Sequence, residues 1–392
     1  MRLLLLTLVL IASSARLYSQ YVNQNVLNEI KVKANETHSD AVIIIQDGKI
    51  LYKDFFEQND QPLYISSVGK SLVNLAIGKL LDKKLIDSLN QPVYTLFPEW
   101  KQGQKKFITI RMLLNHTSGL QDHSNAMVEL EPAPTFQVEN VINIALAAEL
   151  SSKPGTEFFY SNKATALLGG IVEKASGKRF DHFFVDEFYK PMNIANYGWI
   201  QDKSGNPTTH GAFVIKPSDL IKFGELILNK GVYNGNRLIS ESWIEESFQQ
   251  AQKFDIRFGL LWWRKPISEK RIIDKEIWAS WKKAKVDSNF MSKLRPIKNT
   301  LFDSNQLFYE ALNNALGESW ITLMNEKLSG TLAWSKKVFS PQIVAYYGDG
   351  YRGNYLVIVP ENNLVAIRCA DHVNFDTATD GFGDFVELVV KL

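Results

Sequence analysis

The chain has 392 residues, 45% hydrophobic and 22% charged, with 13 Pro and 23 Gly. That is ordinary globular composition, long enough to bury at least one large core and neither collagen-like nor low in complexity. The balance of 44 basic against 42 acidic residues argues against a dedicated nucleic-acid binder, and the single cysteine, Cys369, excludes an internal disulfide and any multi-cysteine metal site.

Met1-Arg2 is a short basic start, and Leu3 to Ala12 is an apolar run. A bilayer span needs about 20 apolar residues, so this run is too short to cross and fits the core of a secretory signal peptide. Ser13, Ala15 and Ser19 are small residues that offer cleavage sites; a cut before Gln20 divides a signal peptide, 1–19, from a mature chain, 20–392. The alternative is an uncleaved anchor. Removing 1–19 takes away Arg2 and Arg16 and leaves 42 basic against 42 acidic residues, a formally neutral protein exported to the periplasm or the exterior. No cysteine follows the apolar run, which excludes a cysteine-linked lipid there.

Val22 to Lys33 reads as a short amphipathic helix. Ala41 to Gln46 and Lys49 to Phe56 read as a hairpin, because Asp47-Gly48 is a turn pair that tolerates positive φ. Ser67 to Lys84 is a helix, with Val68, Leu72, Leu75, Ala76 and Leu80 near the 3.6 period. From Thr109 to Leu228 helical patterns alternate with Pro- and Gly-containing loops, and Ala164 to Ala175 is a helix that Gly177 stops. Ile343 to Tyr347, Tyr355 to Val359 and Leu364 to Ala370 read as strands, the last two joined by Pro360 to Asn363, and Gly383 to Leu392 closes the chain as a helix. A strand pair, a long helical middle, a strand run and a final helix predict an α+β protein: an antiparallel sheet flanked by helices, with an all-helical region inserted.

Two short motifs carry chemistry. Ser67 and Lys70 are three apart and share a helix face. A serine hydroxyl is a poor nucleophile unassisted, and a lysine amine at that spacing can take its proton. In the first helical turn Ser67 also meets free backbone N–H groups and the positive end of the helix dipole. A second match, Ser280 to Lys283, is read as chance. Downstream, Tyr160-Ser161-Asn162 follows Pro154-Gly155. A tyrosine beside a lysine loses its proton more easily, so Tyr160 is a candidate base, or the acid that protonates a leaving group. The Asn162 amide can hold Lys70 or orient substrate. His116 beside Thr117-Ser118 is read as part of a packed turn, and the six histidines show no metal spacing.

Together these motifs resemble the serine β-lactamase and penicillin-binding-protein superfamily, most closely the branch of class C β-lactamases, D-Ala-D-Ala carboxypeptidases and related esterases and amide hydrolases. Flanking segments are similar too: Leu113 to Leu120, Tyr160 to Gly177, and Phe258 to Trp263, which resembles a recurring Trp-Trp strand. The resemblance covers roughly 40–264 and 343–390. It implies a β-lactamase-like fold, a Ser67 acyl-enzyme, no cofactor and no metal. The implied roles are Ser67 as nucleophile, Lys70 as base or electrostatic partner, Tyr160 as second acid/base group and Asn162 as a positioning residue.

The family's third motif, Lys/His-Thr/Ser-Gly, recognises a substrate carboxylate. Here it aligns with Gly348-Asp349-Gly350, followed by Tyr351-Arg352. Backbone N–H groups of Ser67 and Tyr351 are the implied oxyanion hole. Asp349, Gly350 and Arg352 are then substrate-binding candidates. Asp349 repels a carboxylate, and Arg352 either restores a cation, points away or pairs with Asp349. Neutral or cationic esters and amides, small or peptide-like, are therefore expected over β-lactams.

Residues 265–342 are family-atypical and read as a mostly helical insertion with no clear strand. Residues 265–298 hold ten basic and four acidic residues, with Trp278 and Trp281 among them. One reading is a lid or a contact for an anionic polymer or membrane surface; the other is a helical insert with solvated lysines and a Trp-filled local core. For function, the expectation is a secreted serine hydrolase. The alternatives are a D-Ala-D-Ala carboxypeptidase or β-lactamase, and a non-catalytic binding or sensing module on the same fold.

Overall fold

The computed structural model describes residues 22–56, 59–121, 138–211, 213–328, 332–372 and 374–392. The expected signal peptide lies outside them. Gln24–Glu36 (α1) leads into the hairpin Ala41–Gln46 (β1) and Lys49–Asp54 (β2). Asp47 and Gly48 both take positive φ, as a two-residue turn between right-twisted strands requires. Val68–Asp82 (α2), Asn162–Ser176 (α3) and Pro217–Leu228 (α4) follow. Then come Trp263–Pro266 (β3), Ile343–Gly350 (β4), Asn354–Val359 (β5), Leu364–Cys369 (β6) and Phe385–Val390 (α5).

The six strands form one antiparallel sheet in the order β2-β1-β6-β5-β4-β3. Its central strands are buried on both faces, which is why β1, β5 and β6 read as unbroken apolar runs. Ile43, Leu356, Ile358, Val365 and Ile367 face the core shared with α2, α3 and α4. Val42, Ile44, Ala345, Val357 and Ala366 face the other way, against α1 and α5. The helical middle therefore sits on one side of the sheet, as the α+β reading expects. Within that middle, Gly177 closes α3 in the left-handed conformation at φ 70°.

Two expectations are corrected. The Trp-Trp segment is not a strand from Phe258: Leu261 takes φ 59°, the Gly259 N–H donates to the Trp262 carbonyl at 2.9 Å, and the strand starts only at Trp263. The insertion does contain strands. Glu269–Ile272, Leu301–Phe302 and Lys336–Phe339 pair into a small sheet, beside helices Lys275–Lys283, Ser288–Leu294, Asn305–Leu316 and Trp320–Lys327. These strands are short and rich in charge, so no apolar alternation marks them. Ile273, Trp278, Trp281, Leu294, Phe308 and Leu312 fill a local core there, while Lys282, Lys283, Lys285 and Lys293 are exposed. Ser280 lies inside a helix of this core and donates to the Ile277 carbonyl, so the second Ser-x-x-Lys match builds no site.

The helix–sheet contact needs a residue without a side chain at Gly224. A Cβ there would stand 2.2 Å from Val365 Cγ1. Gly224→Ala is expected to cost about 1–3 kcal/mol through overpacking. Urea unfolding should show a lower midpoint at unchanged slope. An unchanged midpoint would contradict this close approach.

Candidate active site

A small sheet sets the nucleophile's place. Leu63–Tyr64 pairs with Phe213–Ile215, and the Ile65 N–H donates to the Phe213 carbonyl at 3.1 Å. Ser66 then turns the chain at φ 50°, an unfavourable conformation for a non-glycine residue that local structure must hold. Ser67 follows as the residue that opens α2, and its side chain caps nothing. The hydroxyl is left to Lys70, whose Nζ donates to Ser67 Oγ at 2.8 Å and to the His210 carbonyl at 2.6 Å. Lys70 is 2% exposed. The first turn of α2 also presses on Phe213, where a Cβ on Gly69 would meet the ring at 2.4 Å.

Tyr160 lies on the far side of this pair. Its ring centroid is 5.0 Å from Lys70 Nζ, within cation–π reach. Trp263 stacks on it at 6.2 Å and 17°, and His116 packs at 4.6 Å. Burial drives the phenol well above its ordinary pKa; hydrogen bonding to Ser67 lowers it and the Asp349 charge raises it further. Of the two roles left open, base or acid, this desolvation favours the neutral proton donor. His116 accepts from the Ser161 N–H at 3.3 Å, and burial, reinforced by Lys70, pushes its pKa down to about 3. It is a neutral ring in the packed turn. Asn162 opens α3 and is buried.

The β4 end lies against the start of α2. A Cβ on Gly348 would stand 3.0 Å from Ser71 Oγ, and one on Gly350 2.7 Å from the Ile65 carbonyl. Two glycines permit this approach, and Gly348 leaves no room for the cation of the family motif. Among the described residues, neither the Ser67 nor the Tyr351 backbone N–H is used in a hydrogen bond. Two free donors beside a serine hydroxyl are what a developing oxyanion needs.

Two residues that sequence reasoning missed hold the turn after Tyr351. Asn354 Nδ2 donates to the Tyr351 carbonyl at 2.8 Å and to the Ala370 carbonyl at 3.1 Å. Arg368, fully buried, donates from Nη1 to the Arg352 and Gly353 carbonyls, both at 2.8 Å. Its other nitrogens reach Ser39, Thr37 and the Asp380 carbonyl. Burial lowers its pKa to about 10, so the guanidinium stays charged at neutral pH. One arginine inside the apolar run Leu364 to Cys369 was the available signal.

Arg352 takes φ 69° and turns to the loop after β6, donating to the His372 carbonyl at 3.0 Å and facing Asp371 at 3.5 Å. It does not pair with Asp349. The Asp349 carboxylate is largely buried, makes no hydrogen bond or ion pair among the described residues, and is pushed up to about 6 by that burial. Among the described residues no group of three or more His, Cys, Asp or Glu is placed to hold a metal ion.

An antiparallel sheet flanked by helices, with Ser67, Lys70 and Tyr160 at the seam, is the architecture of the serine β-lactamase and penicillin-binding-protein superfamily. A family model described as Beta-lactamase matches residues 27–378, and the chain belongs to that family. Beta-lactamase-like protein 4 of Dictyostelium discoideum is 28% identical over 253 residues, covering 58% of this chain and 42% of that protein. The 6-aminohexanoate-dimer hydrolase of Paenarthrobacter ureafaciens is 24% identical over 242 residues, covering 56% and 59%. The chain thus spans about half the length of these curated relatives. The octameric penicillin-binding protein homologue from Pyrococcus abyssi shares the fold, with a TM-score of 0.59 at 17% identity, over 94% of this chain and 76% of that one.

A carboxyl whose folded pKa is about 6, above the ordinary value of about 3.9, binds more protons folded than unfolded between those limits. Its contribution to stability therefore falls as pH rises through that window, and the penalty is constant above it. The neighbouring phenols, Tyr160, Tyr347 and Tyr355, are all raised and stay neutral. Asp349→Asn is expected to raise Tm at pH 7.5 by roughly 1–2 °C, for a penalty on the order of 1 kcal/mol after solvent screening. Calorimetry should find that gap closing towards pH 4. A gap that widens on acidification would contradict the assignment.

Proposed function

We propose that this protein is an exported serine hydrolase that cleaves an ester or amide bond through an acyl-enzyme on Ser67. The observation that carries the reading is the 2.8 Å hydrogen bond between the buried Lys70 Nζ and Ser67 Oγ. Lys70, in its amine form, takes the hydroxyl proton as Ser67 Oγ attacks the carbonyl carbon. The resulting oxyanion is held by the Ser67 and Tyr351 N–H groups, each such donor being worth about 3 kcal/mol in comparable sites. Tyr160, a neutral phenol beside Ser67, hands its proton to the leaving alcohol or amine and recovers one from Lys70. Water then repeats the sequence on the acyl-enzyme and releases the acid.

Membership of the family and a relative that is by name a hydrolase support the general reading. The ester or amide preference rests on the third motif. Arg352 is committed to Asp371 and the His372 carbonyl, and Asp349 stands where a carboxylate-bearing substrate would meet like charge. Neutral or cationic substrates fit this site better than β-lactams or D-Ala-D-Ala peptides. The apolar run after Arg2 supports export.

With p-nitrophenyl acetate, Ser67→Ala should lower kcat/KM by about 1,000-fold or more, and Lys70→Met by about 100- to 10,000-fold. Circular dichroism of each variant separates lost chemistry from lost fold. Full activity in folded Ser67→Ala would sink the proposal.

A further inference from the structure

We propose that the substrate carries an ammonium group, which Asp349 and the aromatic wall of Trp263, Tyr347 and Tyr160 receive beside Ser67. This deepens the serine-hydrolase reading and rests on it.

The first argument is electrostatic bookkeeping. Buried carboxylates are satisfied throughout this part of the molecule. Asp40 accepts from the Asp371 and His372 N–H groups, Asp371 from the Tyr64 N–H at 2.9 Å, and Asp380 from the Asp376 N–H at 2.8 Å and from two histidines. Asp349 alone of these has no hydrogen bond or ion pair among the described residues. An unpaired buried anion is costly, and such an exception in an otherwise satisfied network asks for a missing cation. Three nearby arginines are committed elsewhere. Arg352 faces Asp371, Arg257 is bidentate to Asp255 at 2.6 and 2.9 Å, and Arg368 is spent on carbonyls and hydroxyls.

The second argument is position. Side chains two apart on a strand share a face, so Asp349 lies on the face of Tyr347. Tyr347 stands opposite Trp263 in the β4–β3 register, and their rings are 6.4 Å apart at 22°. Trp263 in turn stacks on Tyr160, the ring that covers Lys70. Tyr347, Trp263 and Tyr160 thus form a continuous run of ring contacts from the Asp349 end of β4 to Lys70, the partner of Ser67. The Asp349 charge is felt by Tyr160, Tyr347 and Tyr355 alike. A carboxylate edged by stacked rings is suited to an alkylammonium, which gains both ion pairing and cation–π contact. The ligand class is an amino-acyl ester or amide, or the ester of an amino alcohol.

The test uses two fluorophosphonates of equal shape. One carries a 2-(trimethylammonio)ethyl group and the other its uncharged 3,3-dimethylbutyl isostere, and inactivation rate constants are read for wild type, Asp349→Asn and Asp349→Glu. Wild type should react at least ten-fold faster with the cationic reagent, Asp349→Asn should bring the ratio near one, and Asp349→Glu should keep a preference of the same sign. Equal rates in wild type, or a preference that survives Asp349→Asn, overturn the inference while leaving the hydrolase reading intact. Labelling of Ser67 by neither reagent would instead remove the hydrolase reading, and this inference with it.

Discussion

A lysine head group that is 2% exposed is stable only where oxygens and aromatic faces replace its water. In this protein Lys70 obtains them from three directions: Ser67 one helical turn earlier, the His210 carbonyl ahead of the strand Phe213–Ile215, and the face of Tyr160 ahead of α3. Meeting that requirement fixes the seam between sheet and helical region. Gly69 lets α2 press on Phe213, Gly348 and Gly350 let β4 lie along the first turn, and Ser66 turns the chain in the left-handed region. The same packing that satisfies Lys70 sets the Ser67 hydroxyl against its Nζ, with the Ser67 and Tyr351 N–H groups unused among the described residues.

Charge is distributed around the seam with the same economy. Arg368 is buried without a carboxylate partner, compensated by carbonyl and hydroxyl oxygens that belong to the turn after Tyr351 and to the loop after α1. It therefore ties the turn after Tyr351 to the sheet. Arg352, one residue past Tyr351, is drawn off to Asp371. What remains at the third-motif position is an acidic residue, Asp349, where the resemblance implies a hydroxyl next to a cation. The Ser67–Lys70 pair is thus kept, while the charge at the third-motif position is inverted.

The Ser67–Lys70 pair and the elements around it were legible because their signals are local. A serine and a lysine three apart on an amphipathic helix, a Tyr-x-Asn at a helix start, and a strand–turn–strand with Asp47-Gly48 each depend on short-range geometry that sequence spacing records. Gly348 and Gly350 were visible as a lost cation, though not as the close approach of β4 to α2. Arg368 and Asn354 escaped, and the direction Arg352 takes stayed open, because their partners come from other segments of the chain, among them Thr37, Ala370 and His372. The choice between base and acid for Tyr160 stayed open for a similar reason: the lysine beside it is readable from sequence, whereas the Trp263 and His116 rings packed on it are not. The insert's strands were invisible because charged residues face solvent on pieces too short to alternate.

The account stands on an acyl-enzyme at Ser67, and trapping it is the most direct measurement. Turnover of p-nitrophenyl acetate would be quenched in acid within the first cycle, and intact mass and peptide mapping would locate the acetyl group. The account predicts a single acetyl group on the peptide containing Ser67, absent from Ser67→Ala. Continued turnover with no acetyl on Ser67, or with the acetyl on another residue, would contradict it.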